Sequence, residues 1–381
     1  MKRIGIMTTG GDTPALNATI YGAAVRASQL KVEVYGLLQG YNCLFNPTVP
    51  HVRLNPLFSP IPELDPTLGG TVLGASRDYI DANDHEALEC IVTRLKALGL
   101  EGLVVVGGDG SLNGMQPLTE RIPAVLAPKT IDNDLGLNYP GEADEWRRVP
   151  FGDAPNYRYE RATSRSEFRL DQMVNYVTPG FVTAVYVAVS GVQRVRTTAE
   201  GHRRIAVVEV MGRQSGFIAL GAAYGQPDLV LVPEHSLDVD LLVDRVREIY
   251  DLQRNVVIVC GEGIVDENGV ELGALSSTTD PAGNVILSGA AEAIRKILVD
   301  RIGDDYFKKH GTNNSASRAI FTRKVGHTQR GGRPLLFDRF IGSEIGGKAV
   351  EMLVQGQNNT AAVIEWNQEQ GFYVDSIEAN T

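Results

Sequence analysis

Residues 103–114 read LVVVGGDGSLNG: a β-branched apolar run, a turn of glycines around one aspartate, and then Asn113-Gly114 at the opening of a helix. Such a run fits a strand buried on both faces, and the change from strand to helix across a short glycine turn is the unit of a parallel α/β sheet. The pattern recurs outward in both directions. Strands are expected at Arg3–Thr9, Val32–Leu38, Leu103–Val106 and Ala124–Ala127, with helices near Asn17–Leu30, His85–Leu98 and Leu112–Arg121. A second series follows. Its strands are expected at Ile205–Val210, Leu229–Val232, Val256–Val259 and Arg318–Thr322, and its helices near Val182–Thr198, Phe217–Tyr224 and Leu241–Gln253. Two α/β domains fit this alternation better than one.

The chain has 381 residues, 43% of them hydrophobic, enough for a sizeable core. A formal net charge of -10 and a pI near 5.2 argue against nucleic acid or an anionic membrane as partner. Cys43, Cys90 and Cys260 are widely spaced and read as reduced thiols, and the six histidines show no metal-ligand spacing. With no signal-like or membrane-spanning apolar run, a cytoplasmic protein is expected. Residues 136–171 mix charges of both signs with Tyr, Trp, Pro and Gly and keep neither apolar period. They read as an insertion or lid-like loop, not a strand or core helix.

Four loops carry the chemistry. Thr8-Thr9-Gly10-Gly11-Asp12 lies between a strand and a helix, where glycines let a phosphate approach backbone N–H groups. Val106-Gly107-Gly108-Asp109-Gly110-Ser111 repeats that pattern with an acid at its centre. A carboxylate in an anion cradle calls for a cation, and magnesium joins phosphate oxygens to carboxylates. PKTIDND, residues 128–134, sets Lys129, Thr130, Asp132 and Asp134 on one strand-end loop, where one carboxylate can take a hydroxyl proton while the other orients metal or donor. GHTQRGGRP, residues 326–334, places His327 and Arg330 beside paired glycines, a setting suited to a sugar-borne phosphate. Arg213, after the strand IAVVEV, projects from a sheet's carboxyl edge, where open α/β sheets bind ligands.

Together TTGGDTPALNA, VVVGGDGSLNG, PKTIDND, RRIAVVEVMGRQSG, LVPE and GHTQRGGRP resemble, in order, the motifs of the phosphofructokinase family. The resemblance implies two Rossmann-like three-layer α/β domains with mainly parallel sheets and the active site in the cleft between them. Residues 1–135 would bind the phosphoryl donor and 173–334 the sugar phosphate. Residues 136–172 would be an insertion, and a C-terminal segment of about 335–365 would pack back on the first domain. The implied reaction is phosphoryl transfer to the 1-hydroxyl of fructose 6-phosphate in glycolysis, with Asp132 as base and Asp109 as the magnesium acid. Thr130, Asp134, Arg213 and the Gly11 amide match positions that stabilise the transferring group. Arg204, Met211, Gly212, Glu234, His327 and Arg330 match the sugar-phosphate site, joined by Arg318 or Arg323. The Arg204 position reaches in from a neighbouring subunit, so a homo-oligomer, dimer or tetramer, is implied. Tyr21 stands where regulated bacterial members place an arginine, and their allostery is not carried over.

Two positions bear on the donor. Gly110 resembles ATP-dependent members, because an Asp there would crowd and repel a nucleotide's α-phosphate, whereas Lys129 is typical of pyrophosphate-dependent ones. Exclusion outweighs a single missing attraction, which favours ATP, with pyrophosphate as the alternative. Tyr41, Arg77, Ser111 and Gly114 then match nucleotide-facing positions. Two other classes remain in view: a NAD- or lipid-kinase reading of GGDGS alone, and a catalytically silent sugar-phosphate-binding regulatory subunit. The second predicts loss of the acids that this chain retains.

Overall fold

The computed structural model describes residues 1–55, 64–76, 80, 84–135, 146–150, 157–161, 173–279, 285–311 and 315–379. Two sheets organise them. The larger has the order Gly371–Glu378, Thr360–Asn367, Ala124–Pro128, Leu103–Gly107, Arg3–Thr9, Glu33–Leu37, His51–Arg53, with Ala75–Ser76 pairing beyond the end of Glu33–Leu37 on Arg3–Thr9. Its central strands are parallel and its two margins antiparallel. The smaller sheet, Leu229–Leu231, Val256–Gly261, Ile205–Val210, Ile320–Lys324, is parallel throughout.

Strand periodicity puts helices on both faces. Ile4, Ile6, Val104, Val106 and Val125 pack toward helices Leu16–Gln29 and Leu336–Val354, while Met7, Leu103, Val105 and Leu126 pack toward His85–Ala97 and Asp109–Thr119. In the smaller sheet Ile205, Val207, Val256 and Ile258 meet helices Val239–Gln253 and Ala290–Ile302. Ala206, Val208, Val257 and Val259 meet the helix Phe181–His202. This is the doubly covered α/β architecture expected from the alternation of apolar runs.

Helix Leu336–Val354 returns to the larger sheet by lying directly on Leu16–Gln29. A Cβ on Gly22 would stand 2.0 Å from the Ser343 carbonyl oxygen, and one on Gly346 would stand 2.0 Å from that of Thr19. The small residues there let two helix backbones touch. The same helix carries in its first turn Asp338, fully buried, which accepts hydrogen bonds from the Gly180 N–H (2.9 Å), the Thr183 N–H (2.6 Å) and the Thr183 hydroxyl (2.5 Å). One carboxylate thus caps the helix Phe181–His202 and ties the C-terminal helix to it.

The structure differs from the sequence expectations at identifiable places. The span 136–172 holds an antiparallel hairpin, Trp146–Pro150 with Tyr157–Arg161, where a strand-free loop is expected; its mixed charges hide the alternation. The helix placed at Leu112 begins at Asp109, so Asp109, Gly110 and Ser111 form its first turn. The strand placed at Arg318 begins at Ile320, after the helical turn Ala316–Ala319. Helix Ala290–Ile302 and the hairpin Thr360–Asn367 with Gly371–Glu378 have no counterpart in the sequence reading. Among the described residues no helix is long and apolar enough to cross a membrane.

Candidate active site

Both sheets turn their carboxyl edges toward one cleft. Three loops arrive from the larger sheet, after Thr9, Gly107 and Pro128, and three from the smaller, after Val210, Gly261 and Lys324. They touch directly. The Ser215 hydroxyl donates to the Asp132 carbonyl (2.9 Å), and the Arg330 guanidinium donates to the Asp12 carbonyl (3.3 Å).

On the larger sheet the cleft wall is mostly backbone. Gly10 adopts φ +76°, which favours glycine. Gly107 is held to glycine by packing, since a Cβ there would lie 2.1 Å from the Ser111 side chain. That serine is buried and accepts a hydrogen bond from the Thr9 hydroxyl, linking the first two loops. Gly110 is different: among the described residues, no atom outside its chain neighbours and its own helix backbone lies within 4 Å of where its Cβ would stand. The protein leaves that space open without needing it for packing. Asp109 begins the helix and lies exposed at its amino end, where the helix dipole suits an anion. Lys129 is 3% exposed, and its ammonium donates to the Gly11 carbonyl. The lysine therefore braces the first loop from within the cradle. Tyr41 is 1% exposed with its ring against Gly114, so the pair pack on each other where nucleotide-facing positions are expected. Arg77 lies outside the described residues.

Asp132 sits where the halves meet. It is 5% exposed, and its Oδ1 has no hydrogen-bond partner among the described residues. Burial pushes its carboxyl pKa up, while Arg330, Arg213 and Lys129 pull it down; burial prevails. Asp134, which accepts from the Thr130 hydroxyl at 3.3 Å, is pushed up to about 7 by burial and by the neighbouring charges of Asp132 and Asp109. The Asp134 carboxylate thus feels the charges of both Asp132 and Asp109, an arrangement that a divalent cation would relieve.

On the smaller sheet the wall is charged side chains on constrained backbone. Arg213 has φ +51° and its N–H donates to Glu262 Oε1 (3.2 Å); Gly212, at φ 140°, has the Ser215 carbonyl 2.5 Å from where a Cβ would stand. The Met211 N–H donates to Gln329 (2.9 Å), a fully buried side chain that fixes GHTQRGG against the strand end. His327 is exposed and Arg330 half-buried, with its guanidinium against Gly11. Glu234 accepts the Gly216 N–H (2.7 Å) and so caps the helix Phe217–Gly221. Glu262 went unnoticed in the sequence. Buried at a strand's carboxyl end, with its pKa raised first by burial and further by Asp132, it faces the same cleft. The signal was available in VVIVCGE, a glutamate closing an apolar strand.

Arg204 stands apart. It precedes Ile205, at the opposite edge of the smaller sheet from Met211, and a six-residue strand separates them by about 20 Å. Arg318 lies at that same far edge, because Ile320 pairs with Ile205, whereas Arg323 pairs with Val208 nearer the cleft.

The chain is similar to known proteins over most of its length. The family profile described as phosphofructokinase matches residues 3–138 and 171–353. An ATP-dependent 6-phosphofructokinase of Bacillus pumilus is 31% identical over 371 residues, covering 97% of this chain and 91% of the relative. A pyrophosphate–fructose 6-phosphate 1-phosphotransferase of Dictyoglomus thermophilum is 29% identical over 382 residues, covering 100% and 94%. Among solved structures, a pyrophosphate-dependent phosphofructokinase from Marinobacter aquaeolei superposes with a TM-score of 0.71 at 17% identity, covering 100% of this chain and 83% of that one, which speaks to the fold. The match takes in every loop of the cleft, is interrupted across 139–170 and ends at 353, before the C-terminal hairpin, and the chain belongs to the phosphofructokinase family.

Proposed function

We propose that the chain is a 6-phosphofructokinase that transfers the terminal phosphoryl group of ATP to the 1-hydroxyl of fructose 6-phosphate. The observation that carries this reading is Asp132: a buried carboxylate with one oxygen unpartnered among the described residues, near Lys129, Arg213 and Arg330, where two sheets meet. A base needs a free lone pair within reach of the hydroxyl it deprotonates, and a pKa raised toward neutrality improves proton transfer. The glycine cradle of the first two loops receives the donor's phosphates on backbone N–H groups. Thr130 and Asp134 orient the transferring group, and Arg213 meets the charge that develops on it. Asp109, with Asp134 close enough to feel its charge, suits magnesium held by few carboxylates and by substrate phosphates, and that cation supplies charge neutralisation when bound.

The acceptor's own phosphate falls to His327 and Arg330, with Glu262 available to the sugar hydroxyls. Arg204 cannot reach this cleft from its own chain. A second subunit supplying it accounts for a cation placed at the far edge, and the shared edge makes Arg318, rather than Arg323, its companion. Pyrophosphate is the second reading, favoured by the buried ammonium of Lys129 beside the Gly10–Gly11 turn. The open space at Gly110 favours ATP. The deciding assay offers purified protein, magnesium and fructose 6-phosphate either ATP or pyrophosphate and measures fructose 1,6-bisphosphate. ATP turnover is expected. Turnover with pyrophosphate alone would give the donor to Lys129, and turnover with neither would defeat the reaction itself.

A further inference from the structure

The loop that carries Asp132 is held by a second segment, Asn175–Thr178. Asn133, between the two acids, has φ +55°, a left-handed conformation that a side chain must secure locally. Its Oδ1 accepts the Thr178 N–H at 2.8 Å, and its Nδ2 donates to the Tyr176 carbonyl at 3.4 Å. The Thr178 hydroxyl donates to the Thr130 carbonyl at 2.8 Å, with Asn133 Oδ1 a further 3.1 Å neighbour. Thr178 is fully buried, so water does not compete for these bonds.

The clamp is itself anchored. The Tyr176 N–H donates to the Ile364 carbonyl (2.9 Å), and the Ile364 N–H donates to the Asn175 side chain (2.9 Å). The Tyr176 ring meets Phe372 edge to face at 5.3 Å. Ile364 and Phe372 belong to the C-terminal hairpin, which extends the larger sheet from strand Ala124–Pro128, the strand that leads into the base loop. The base loop is therefore fixed at its root by the sheet and at its tip by a segment pinned to that sheet's own extension.

We infer that Thr178 is a positioning residue for Asp132, holding the base loop in register through Asn133 and Thr130, with the C-terminal hairpin as the anchor of that clamp. This rests on the proposed phosphoryl transfer. Thr178 is fully buried and spends its N–H and hydroxyl on the base loop, so losing the hydroxyl displaces the base without removing a group exposed to the cleft. Misplacement of a reacting group by about 1 Å costs on the order of 100-fold in rate.

The test compares unmodified protein with Thr178→Val and Thr178→Ser, measuring kcat and KM for fructose 6-phosphate. Valine keeps the shape and removes the donor. It is expected to lower kcat by about 10- to 100-fold while KM stays within about twofold, and serine is expected to recover most of the rate. A soluble Thr178→Val protein with undiminished kcat overturns the clamp, as does a loss that serine does not restore. Should valine prevent folding, Asn175→Ala reads the same chain of contacts from the hairpin end: a lower kcat at unchanged KM supports it, and full activity overturns it. An unmodified protein inactive with either donor overturns both this inference and the proposed reaction, whereas an active parent with an unimpaired Thr178→Val variant overturns the clamp alone.

Discussion

The two walls of the cleft are made of different materials. The wall from the larger sheet is backbone and small side chains: the Ser111 side chain fills the space at Gly107, the Arg330 guanidinium rests on Gly11, and the space at Gly110 is open among the described residues. The wall from the smaller sheet is Arg213, Glu262, His327 and Arg330, ionisable side chains set on left-handed or glycine-constrained turns. The contrast matches what the two proposed ligands would require. A polyphosphate already partnered by a cation needs space and dipoles, while a sugar monophosphate needs countercharge. Selection on the first wall therefore works by volume, and on the second by charge.

Asp132 lies between these walls and belongs to neither. Asp132→Asn keeps size and packing but removes the base, so kcat should fall by about 10²- to 10⁴-fold, with both KM values little moved. A large rise in either KM would assign the residue to one wall. Next in size is Arg330→Ala. Hydrogen bonds to charged groups contribute roughly 1.5–3 kcal/mol, so KM for the sugar phosphate should rise about 10- to 100-fold, with a much smaller change for the donor. Since the Arg330 guanidinium also rests on Gly11 and the Asp12 carbonyl, an equal rise for both substrates would show that the walls are coupled there.

A smaller effect tests volume on the first wall. At Gly110 a Cβ meets no described residue beyond its own helix turn, so Gly110→Asp should fold normally and lose ATP use by about tenfold more than pyrophosphate use through crowding and repulsion of the nucleotide. Equal losses with both donors would refute selection by volume. Most of this wall was legible in the sequence, because glycines at a strand-to-helix turn have few other reasons to cluster and the strands around them are unbroken apolar runs. The second wall was less so. Glu262 is a single acid ending a strand, and Glu234, which matches a motif, is engaged with Gly216. Only the fold shows that the first faces Asp132 while the second caps a helix. The C-terminal hairpin was missed because its strands carry Glu365, Asn367, Asp375 and Ser376 among their apolar residues, and its contact with Tyr176 is long-range.

The smallest prediction separates the walls by their unliganded electrostatics. Asp134, on the first wall, has a folded-state pKa of about 7, raised by burial, Asp132 and Asp109, against an unfolded value near ~3.9. Between those values the folded protein holds a proton that the unfolded chain has released. The resulting stability is fully present below about pH 4 and is lost as pH rises through about 7. Without magnesium or phosphate ligands, Asp134→Asn should therefore melt close to the parent at low pH and above it at pH 8, by a few degrees in Tm. Melting curves in chelator across that range test this. A difference that does not change with pH would mean that Asp134 is already neutralised by its surroundings, as the arginines neutralise charge on the second wall. A difference that grows with pH means that the donor wall carries uncompensated negative charge, a free-energy cost that bound magnesium would remove.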